Sequence, residues 1–302
     1  MDTRSRLELA NDNAAAFWLA QARVHGWETV RRPAFTAVRC EGVEADGHRV
    51  VVTRPYDRPE ELTGEVLDVL RGWRTARLCL EDPYGRLDLG RHGCVAALGQ
   101  AVMTREAAPA VHCSDAPSAR RGGARSGATG ETGATGVRGG EGRGAGGAVS
   151  DGEGSEGGDC GDGGDCDGGI EVRASLGPDD LAEAEAVLIG GLPLPGMLPH
   201  VRGALIPPAL LGAPGYRVWT ARRNGMPAGA CVSYDDGTAL GLYMVATLPE
   251  HRSRGVGRAV VAAALDAHPD RVAVLVATLL GEPLYRRMGF VEQGVSRWWA
   301  LR

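Results

Sequence analysis

The pattern of apolar and polar positions divides the chain into two patterned parts and one segment without pattern. In residues 1–104, apolar positions from Phe17 to Val24 predict a helix with Asn11 or Asn13 as its N-cap and a glycine at its end. Three β-like runs follow, and a helical apolar stretch lies between the last two. This order predicts a small α/β domain. The runs are residues 35–40, 49–53 and 76–80, and the helical stretch is 62–73.

Residues 105–169 have almost no apolar positions and are dominated by glycine from residue 122 onward. Such a segment cannot bury enough surface to offset its ordering entropy, so it predicts a disordered linker. A Gly-x-y register over 127–143 lacks the proline of a collagen helix. An Asp/Cys cluster over 159–167 lacks the histidines or second cysteine pair of a metal site.

Residues 170–302 again alternate between strand and helix periods. Strands are predicted over 170–174, 216–221, 228–234, 239–247 and 272–277, and helices over 181–188, 256–267 and 283–288. Two final strands, 290–293 and 296–301, would close this domain. A Pro/Gly-rich stretch over 192–214 has no periodic pattern.

Composition and charge narrow the function classes. The 302 residues suffice for two modest domains, and the net charge of -5 argues against a general nucleic-acid binder. The six arginines and eleven acidic residues from Arg105 to Ile170 account for that charge. No apolar run approaches the ~20 residues that span a bilayer, and no secretory segment opens the chain. The seven cysteines have irregular spacing, which favours a cytoplasmic protein with reduced thiols.

The main candidate site residues lie in the connection between the strand predicted over 239–247 and the helix predicted over 256–267. Arg252, Ser253, Arg254, Gly255, Val256 and Gly257 connect them, with glycines at the first helical turn. The first N–H groups of a helix have no internal partner and attract anions, and glycine lets a pyrophosphate approach the backbone. An anion site is therefore predicted here.

Arg252-x-x-Gly255-x-Gly257 resembles the R/Q-x-x-G-x-G/A signature of the GNAT superfamily of N-acetyltransferases, and residues 284–290 resemble its "LY-x-x-x-GF" element. The resemblance implies an α/β (α+β) fold with a mixed central sheet, acetyl-CoA as co-substrate and no metal. The amides of residues 252–257 would hold the pyrophosphate. Val245, Ala246 and Thr247 would pair with the pantetheine arm, in a gap between splayed strands. Tyr285 would protonate the departing thiolate, although it also has the spacing of a core aromatic.

Two positions depart from the family pattern. Thr278 stands where many members have an asparagine for the pantetheine, and its shorter hydroxyl could still reach an amide directly or through water. Residues 238–248, where some members carry a glutamate base, contain neither acid nor histidine. His200, Glu250, Asp235, Asp236 and a water relay remain open as the base that deprotonates the amine.

The resemblance implies transfer of an acetyl group to a primary amine of a small molecule. A protein or peptide acceptor, a non-catalytic acyl-CoA-binding regulator and a scaffold tethered by the linker are the alternatives. Residues 1–104 lack both motifs and are either a degenerate GNAT-like half without a cofactor site or an unrelated α/β domain. Trp298 and Trp299 point to opposite faces of the last strand, so one should enter a core. The other should border the acceptor pocket or the N-terminal domain. The oligomeric state is not determined by the sequence.

Overall fold

The computed structural model describes residues 4–41, 48–74, 78–108, 169–192, 194 and 197–301. The predicted linker lies outside the described residues except at its two ends. No helix in the described ranges is both long and apolar enough to cross a bilayer. Within the same ranges, no group of three or more His, Cys, Asp or Glu side chains is placed to hold a metal ion.

The described residues form five helices and twelve strands. The helices are α1 (Arg6–His25), α2 (Pro59–Trp73), α3 (Pro178–Gly191), α4 (Val256–Asp266) and α5 (Glu282–Arg287). The first six strands are β1 (Thr29–Arg31), β2 (Phe35–Val38), β3 (His48–Val52), β4 (Leu78–Asp82), β5 (Val95–Ala96) and β6 (Gln100–Arg105). The other six are β7 (Ile170–Ala174), β8 (Tyr216–Arg223), β9 (Met226–Asp235), β10 (Ala239–Thr247), β11 (Val272–Ala277) and β12 (Val291–Leu301).

All twelve strands belong to one mixed sheet, in the order β1-β2-β3-β4-β12-β6-β11-β10-β9-β8-β7, with β5 paired to β12. The N-terminal and C-terminal parts exchange strands at the centre of this sheet. Strand β6 of the N-terminal part lies between β11 and β12. The end of β12, from Arg297 to Leu301, pairs with β4 of the N-terminal part. Each part therefore contributes a strand to the sheet of the other.

The last strand differs from the sequence prediction. Residues 290–293 and 296–301 were predicted as two strands, whereas the structure has the single strand β12 with a register shift between Glu292 and Gly294. A β-bulge increases the local twist and bends its strand. β12 pairs with β6 from Val291 to Ser296 and with β4, on its other edge, from Arg297 to Leu301.

The two faces of the C-terminal sheet are covered by different helices, as the alternation of side chains along a strand requires. On β8, Trp219 packs into the core cluster that contains Val260 of α4 and Tyr285 of α5. Its neighbour Val218 packs into the opposite cluster, with Leu188 of α3 and Phe17 of α1. The N-terminal helix α1 thus belongs to the core of the C-terminal part.

Helix α1 begins earlier than its sequence predicts, because Ser5 rather than Asn11 or Asn13 is its N-cap. Ser5 and Glu8 form a capping box, in which each side chain bonds the other residue's backbone N–H. Asn13 lies in mid-helix and is fully buried against β10. Its amide donates to the Ala239 carbonyl at 3.0 Å and accepts from the Tyr243 hydroxyl at 2.6 Å. Asn13 therefore anchors α1 to the C-terminal part.

Candidate active site

A gap opens between the parallel strands β10 and β11. The two strands pair at three positions, from Ala239↔Val272 to Gly241↔Val274. Beyond Gly241, β10 remains paired with β9 as far as Thr247, and β11 remains paired with β6 as far as Ala277. The strands therefore separate while each remains paired on its other side.

A bulge in β10 lies at the start of this gap. The register with β9 shifts between Tyr243 and Ala246, and Met244 has a φ of 51°. Beyond the bulge, Ala246 pairs with Ala230 and the Leu248 N–H donates to the Ala228 carbonyl. Because peptide groups of successive residues face opposite edges of a strand, those of Val245 and Thr247 face the gap. They are placed to pair with an extended ligand.

The connection from β10 to α4 presents unpartnered backbone donors. Ser253 and Gly255 have φ values of 58° and 80°, so both are left-handed, and such turns aim successive amides into a concave nest. In the described part of the chain, the N–H groups of Ser253, Arg254, Gly255, Val256 and Gly257 have no backbone acceptor. These amides and the positive end of the α4 dipole form an anion site.

The backbone N–H of Arg252 differs from those of residues 253–257, because it already has a backbone acceptor. Its N–H donates to the Pro249 carbonyl, and its guanidinium donates to the carbonyls of Thr247 and Gly191, both at 3.3 Å. The side chain thus ties the turn to the end of β10 and to the end of α3. We expect it to shape the anion site rather than to contribute an amide.

Glycines bring the start of α4 close to β10. A Cβ on Gly229 of β9 would lie 2.5 Å from Val256 Cγ1, and one on Gly257 would lie 3.4 Å from Thr247 Oγ1. Contacts as short as the first do not occur for real Cβ atoms. The glycine at 229 therefore lets the helix terminus sit against the open end of the gap.

Tyr285 lies in the core on the α4 side of the sheet. Its ring is 5.8 Å from that of Phe290, and the same cluster contains Cys231 and Leu242, which flank the β10 bulge from β9 and from β10 itself. Burial raises the pKa of Tyr285 above its ordinary value, with a further contribution from the Cys231 thiol. The phenol therefore keeps its proton at neutral pH.

Comparison with known proteins agrees with this geometry. Residues 214–292 match the family model of the acetyltransferase (GNAT) domain. This part of the chain is a GNAT acetyltransferase domain. The match spans β8 to β12, including the gap, the anion site and Tyr285. No curated protein matches the sequence.

Two solved structures share the fold over nearly the whole chain. A GCN5-related N-acetyltransferase from Kribbella flavida has 14% identity and a TM-score of 0.54, covering 95% of each chain. A functionally unknown conserved protein from Staphylococcus epidermidis has 10% identity and a TM-score of 0.52, covering 91% of this chain and 94% of that one. At such identities the likeness concerns the fold alone. It confirms the predicted fold class.

Thr278 follows β11 at the exposed end of the GNAT domain's gap. Its hydroxyl accepts the Gly281 N–H at 3.2 Å, so it caps the turn that leads into α5. Its role toward a pantetheine arm stays a prediction, since the same hydroxyl can still donate.

The side chains considered as the base of the GNAT domain have other partners or are exposed. Asp235 accepts from the Gly237 N–H and from Arg271, and Asp236 accepts from the Thr238 N–H and from Asn13. Both are turn residues. Glu250 is exposed beyond the end of β10. His200 is held by Glu185, with 2.9 Å between Nε2 and Oε2.

A cavity of about 250 Å³ adjoins the gap on the side of the N-terminal part. Met244 of the β10 bulge and Val276 of β11 lie on its wall, together with α1, β3, β4 and the loop after α3. Trp298 borders it, while Trp299 packs into the N-terminal core. The structure thus shows which of the two tryptophans enters a core and which borders the cavity, a choice that the sequence left open.

Two charged residues on this wall were missed by the sequence analysis. Arg49 of β3 and Glu81 of β4 both line the cavity, with 3.6 Å between Arg49 Nη1 and Glu81 Oε1. Arg49 lies over the rings of Trp18 at 4.6 Å and Trp298 at 5.4 Å. The sequence offered one signal for Glu81: an acidic residue directly after the strand predicted over 76–80. A carboxylate therefore does face the site, from the other half of the chain.

The loop that forms part of this wall is organised by one buried carboxylate. Glu185 of α3 is fully buried and accepts hydrogen bonds from the N–H groups of Gly203, Leu205 and Ile206 at 2.6–3.0 Å, in addition to His200. Burial alone would raise the pKa of Glu185, but the bonds from His200 and the three amides outweigh it and lower that pKa. The loop therefore depends on the ionised form.

We expect Glu185→Gln to lower the free energy of unfolding by about 2 kcal/mol at neutral pH, because hydrogen bonds to a charged acceptor lose most when the charge is removed. The lowered pKa makes the carboxylate stabilising above its unfolded-state value, and this stabilisation is lost as pH falls through the folded value. In urea unfolding, the difference in unfolding free energy between the parent and Glu185→Gln should be smaller near pH 4 than at pH 7. Glu183 lies on the same helix as Glu185 and pairs with the partly exposed Arg222 of β8; Glu183→Gln is the control and should cost under about 1 kcal/mol. A pH-independent difference would contradict this account.

Proposed function

We propose that the protein is an N-acetyltransferase that transfers the acetyl group of acetyl-CoA to a primary amine of a small molecule, with both substrates bound together. One observation carries the proposal: the gap between β10 and β11 ends at the unpartnered amides that open α4. A pyrophosphate with an extended arm needs both features in this order. The family assignment of residues 214–292 supports the same class of reaction.

The residues present fit acetyl-CoA. The amides of residues 253–257 would hold the pyrophosphate, the exposed Arg254 adds positive charge, and the gap-facing peptides of Val245 and Thr247 would bind the pantetheine amides. Acetyl-CoA would supply the acetyl group as a thioester. The core cluster that Tyr285 shares with residues beside the bulge supports a position for its hydroxyl near the end of that arm.

The protein's own groups have two tasks during transfer. A C–N bond forms to the amine and the C–S bond breaks. A bound ammonium therefore loses one proton before it attacks and a second as the C–N bond forms, while the sulfur gains one and a net proton leaves to solvent. Tyr285 gives its hydroxyl proton to the sulfur and recovers one from solvent. The amine's proton leaves through water or through a carboxylate on the cavity wall.

We also infer that residues 1–104 are a degenerate GNAT-like half. The unit β3–α2–β4 repeats the arrangement of β10–α4–β11, with two parallel neighbouring strands joined through a helix. In this copy the strands remain paired from His48 to Val51, so no gap opens. Arg58 caps α2 without a glycine turn. This half is proposed to have no cofactor site of its own.

Calorimetric titration of acetyl-CoA into the full chain tests the proposed function. Gly255→Glu should weaken binding at least about tenfold, because it places an anion against the pyrophosphate in a site of reduced dielectric. Gly225→Glu is the matched control, since Gly225 has a φ of 78° against 80° for Gly255 and a Cβ there meets nothing within 4 Å. The control should bind as the parent does.

Two outcomes would count against the proposal. Absence of acetyl-CoA binding by the parent chain would remove the donor site. Binding without turnover against any amine would favour the alternative of a non-catalytic acyl-CoA-binding protein.

A further inference from the structure

The cavity beside the gap joins the two halves of the chain. Trp18 lies on α1, Glu81 on β4, Trp298 on the end of β12, and Met244 on the bulge of β10. The wall therefore exists only because the halves share one sheet and α1 packs on the C-terminal part. The cavity reaches the point where the strands separate, which is where the proposed function requires the acceptor.

The volume of the cavity restricts the size of its ligand. Drug-sized ligands occupy pockets of about 300–1,000 Å³. At about 250 Å³ this cavity fits a smaller molecule. A folded protein substrate could insert no more than one side chain here.

The character of the wall restricts the chemistry of the ligand. Indole rings and aliphatic side chains form most of it, and among the described residues Arg49 and Glu81 are its charged groups. Aromatic walls bind apolar bodies and attract cations to their faces. Glu81 is ion-paired with Arg49, so these two charges offset each other, and the Glu81 carboxylate is a wall group that can also accept a hydrogen bond from an ammonium.

We propose that this cavity is the acceptor site, that it takes a small primary amine with an apolar, ring-sized body, and that Glu81 of the N-terminal half binds the ammonium group. The inference rests on the proposed function and names its substrate class. Glu81 then holds the amine beside the gap and offers a carboxylate through which its proton can leave.

Acyl transfer by the full chain to two amines tests the substrate class. The pair is 2-phenylethylamine and ethanolamine, which share an aminoethyl group and differ in the body attached to it. We expect kcat/KM to be about 30-fold higher for 2-phenylethylamine, the ratio expected from burying one phenyl ring. Equal rates or a preference for ethanolamine would overturn the inference and leave the proposed function standing. Transfer to peptides alone would overturn both the inference and the small-molecule acceptor of the proposed function. Failure to bind acetyl-CoA, by contrast, would remove the proposed function itself.

Glu81→Gln tests the role of the carboxylate. We expect KM for 2-phenylethylamine to rise about tenfold or more, because a charge-assisted contact is lost. The inhibition constant of the uncharged analogue 2-phenylethanol should stay within about twofold, which a distorted cavity would not allow. Glu65→Gln, exposed on α2, is the matched control and should change neither value. Parallel weakening of amine and alcohol would overturn the assignment of Glu81.

A second variant is needed because Glu81→Gln leaves Arg49 buried beside an uncharged amide. Leu205→Trp places an indole in the cavity from the loop held by Glu185. We expect transfer to 2-phenylethylamine to fall about tenfold or more, since filling the site excludes its ligand. The affinity for acetyl-CoA should be unchanged. Undiminished transfer by this variant would show that the amine binds elsewhere.

Discussion

Residues 169–302 expressed alone will not form a stable domain, although they contain the complete GNAT match. Strand β6 pairs with β11 from Ala101 to Arg105 and with β12 from Gln100 to Thr104. Its removal would separate those two strands and leave both with an unpaired edge. It would also remove Met103, which is fully buried in the C-terminal core, and burial of one such side chain contributes about 1.5–3 kcal/mol.

Removal of β4 and α1 would destabilise the fragment further. The end of β12 would lose its pairing with β4, and Trp299 would lose the N-terminal core in which it is buried. Helix α1, with Phe17 and Asn13 against the sheet, would be absent as well. Since a domain of this size has a net stability of only ~5–15 kcal/mol, these losses together should abolish cooperative folding.

Urea unfolding monitored by tryptophan fluorescence measures this effect. The full chain should unfold cooperatively, whereas the fragment should show a shallow transition or aggregate. Co-expression of residues 1–108 with 169–302 as two chains is the control and should yield a stable complex, because β6 and β12 regain their neighbours in the shared sheet. A fragment that unfolds with the midpoint of the full chain would show that the halves are independent. It would then favour the domain boundaries predicted from the sequence.

Much of the C-terminal part could be predicted from its sequence because local signals there agree with the fold. The apolar run of β11 and the period of α4 correspond to elements within one or two residues of their predicted bounds. The turn from Arg252 to Gly257 could be predicted from its glycines. The structure shows a positive φ at one of them, Gly255. The opening of the gap was implied by the family resemblance rather than by periodicity.

The rest depends on long-range packing that a single sequence does not display. Asn13 was expected at a helix end, where asparagine is common, but it is buried in mid-helix because β10 supplies its partners and Gly241 supplies the space. The exchange of β6 and β12 leaves no local trace, since the continuous burial of β6 from Ala101 to Thr104 is what any central strand shows. Glu81 could be recognised as an acid after a strand, but its proximity to the gap follows only from the shared sheet.

Tyr285→Phe should lower kcat about 100-fold while leaving the fold intact, if the hydroxyl protonates the departing sulfur. Phenylalanine retains the ring that packs against Phe290, so the core keeps its volume. The hydroxyl is held protonated by burial, which raises its pKa, and a leaving thiolate is a site of developing negative charge. Without the hydroxyl, the thiolate must take its proton from water.

Steady-state rates, acetyl-CoA affinity and urea midpoints of the same variant separate the catalytic role from a packing role. We expect the affinity and the midpoint to match those of the parent, and only kcat to fall. Tyr234→Phe, on the opposite face of the sheet against Phe17, is the matched control and should change kcat by less than about twofold. A kcat within about threefold of the parent would make Tyr285 a core aromatic. Protonation of the sulfur would then fall to solvent entering along the gap, and the splayed strands would contribute binding and orientation alone.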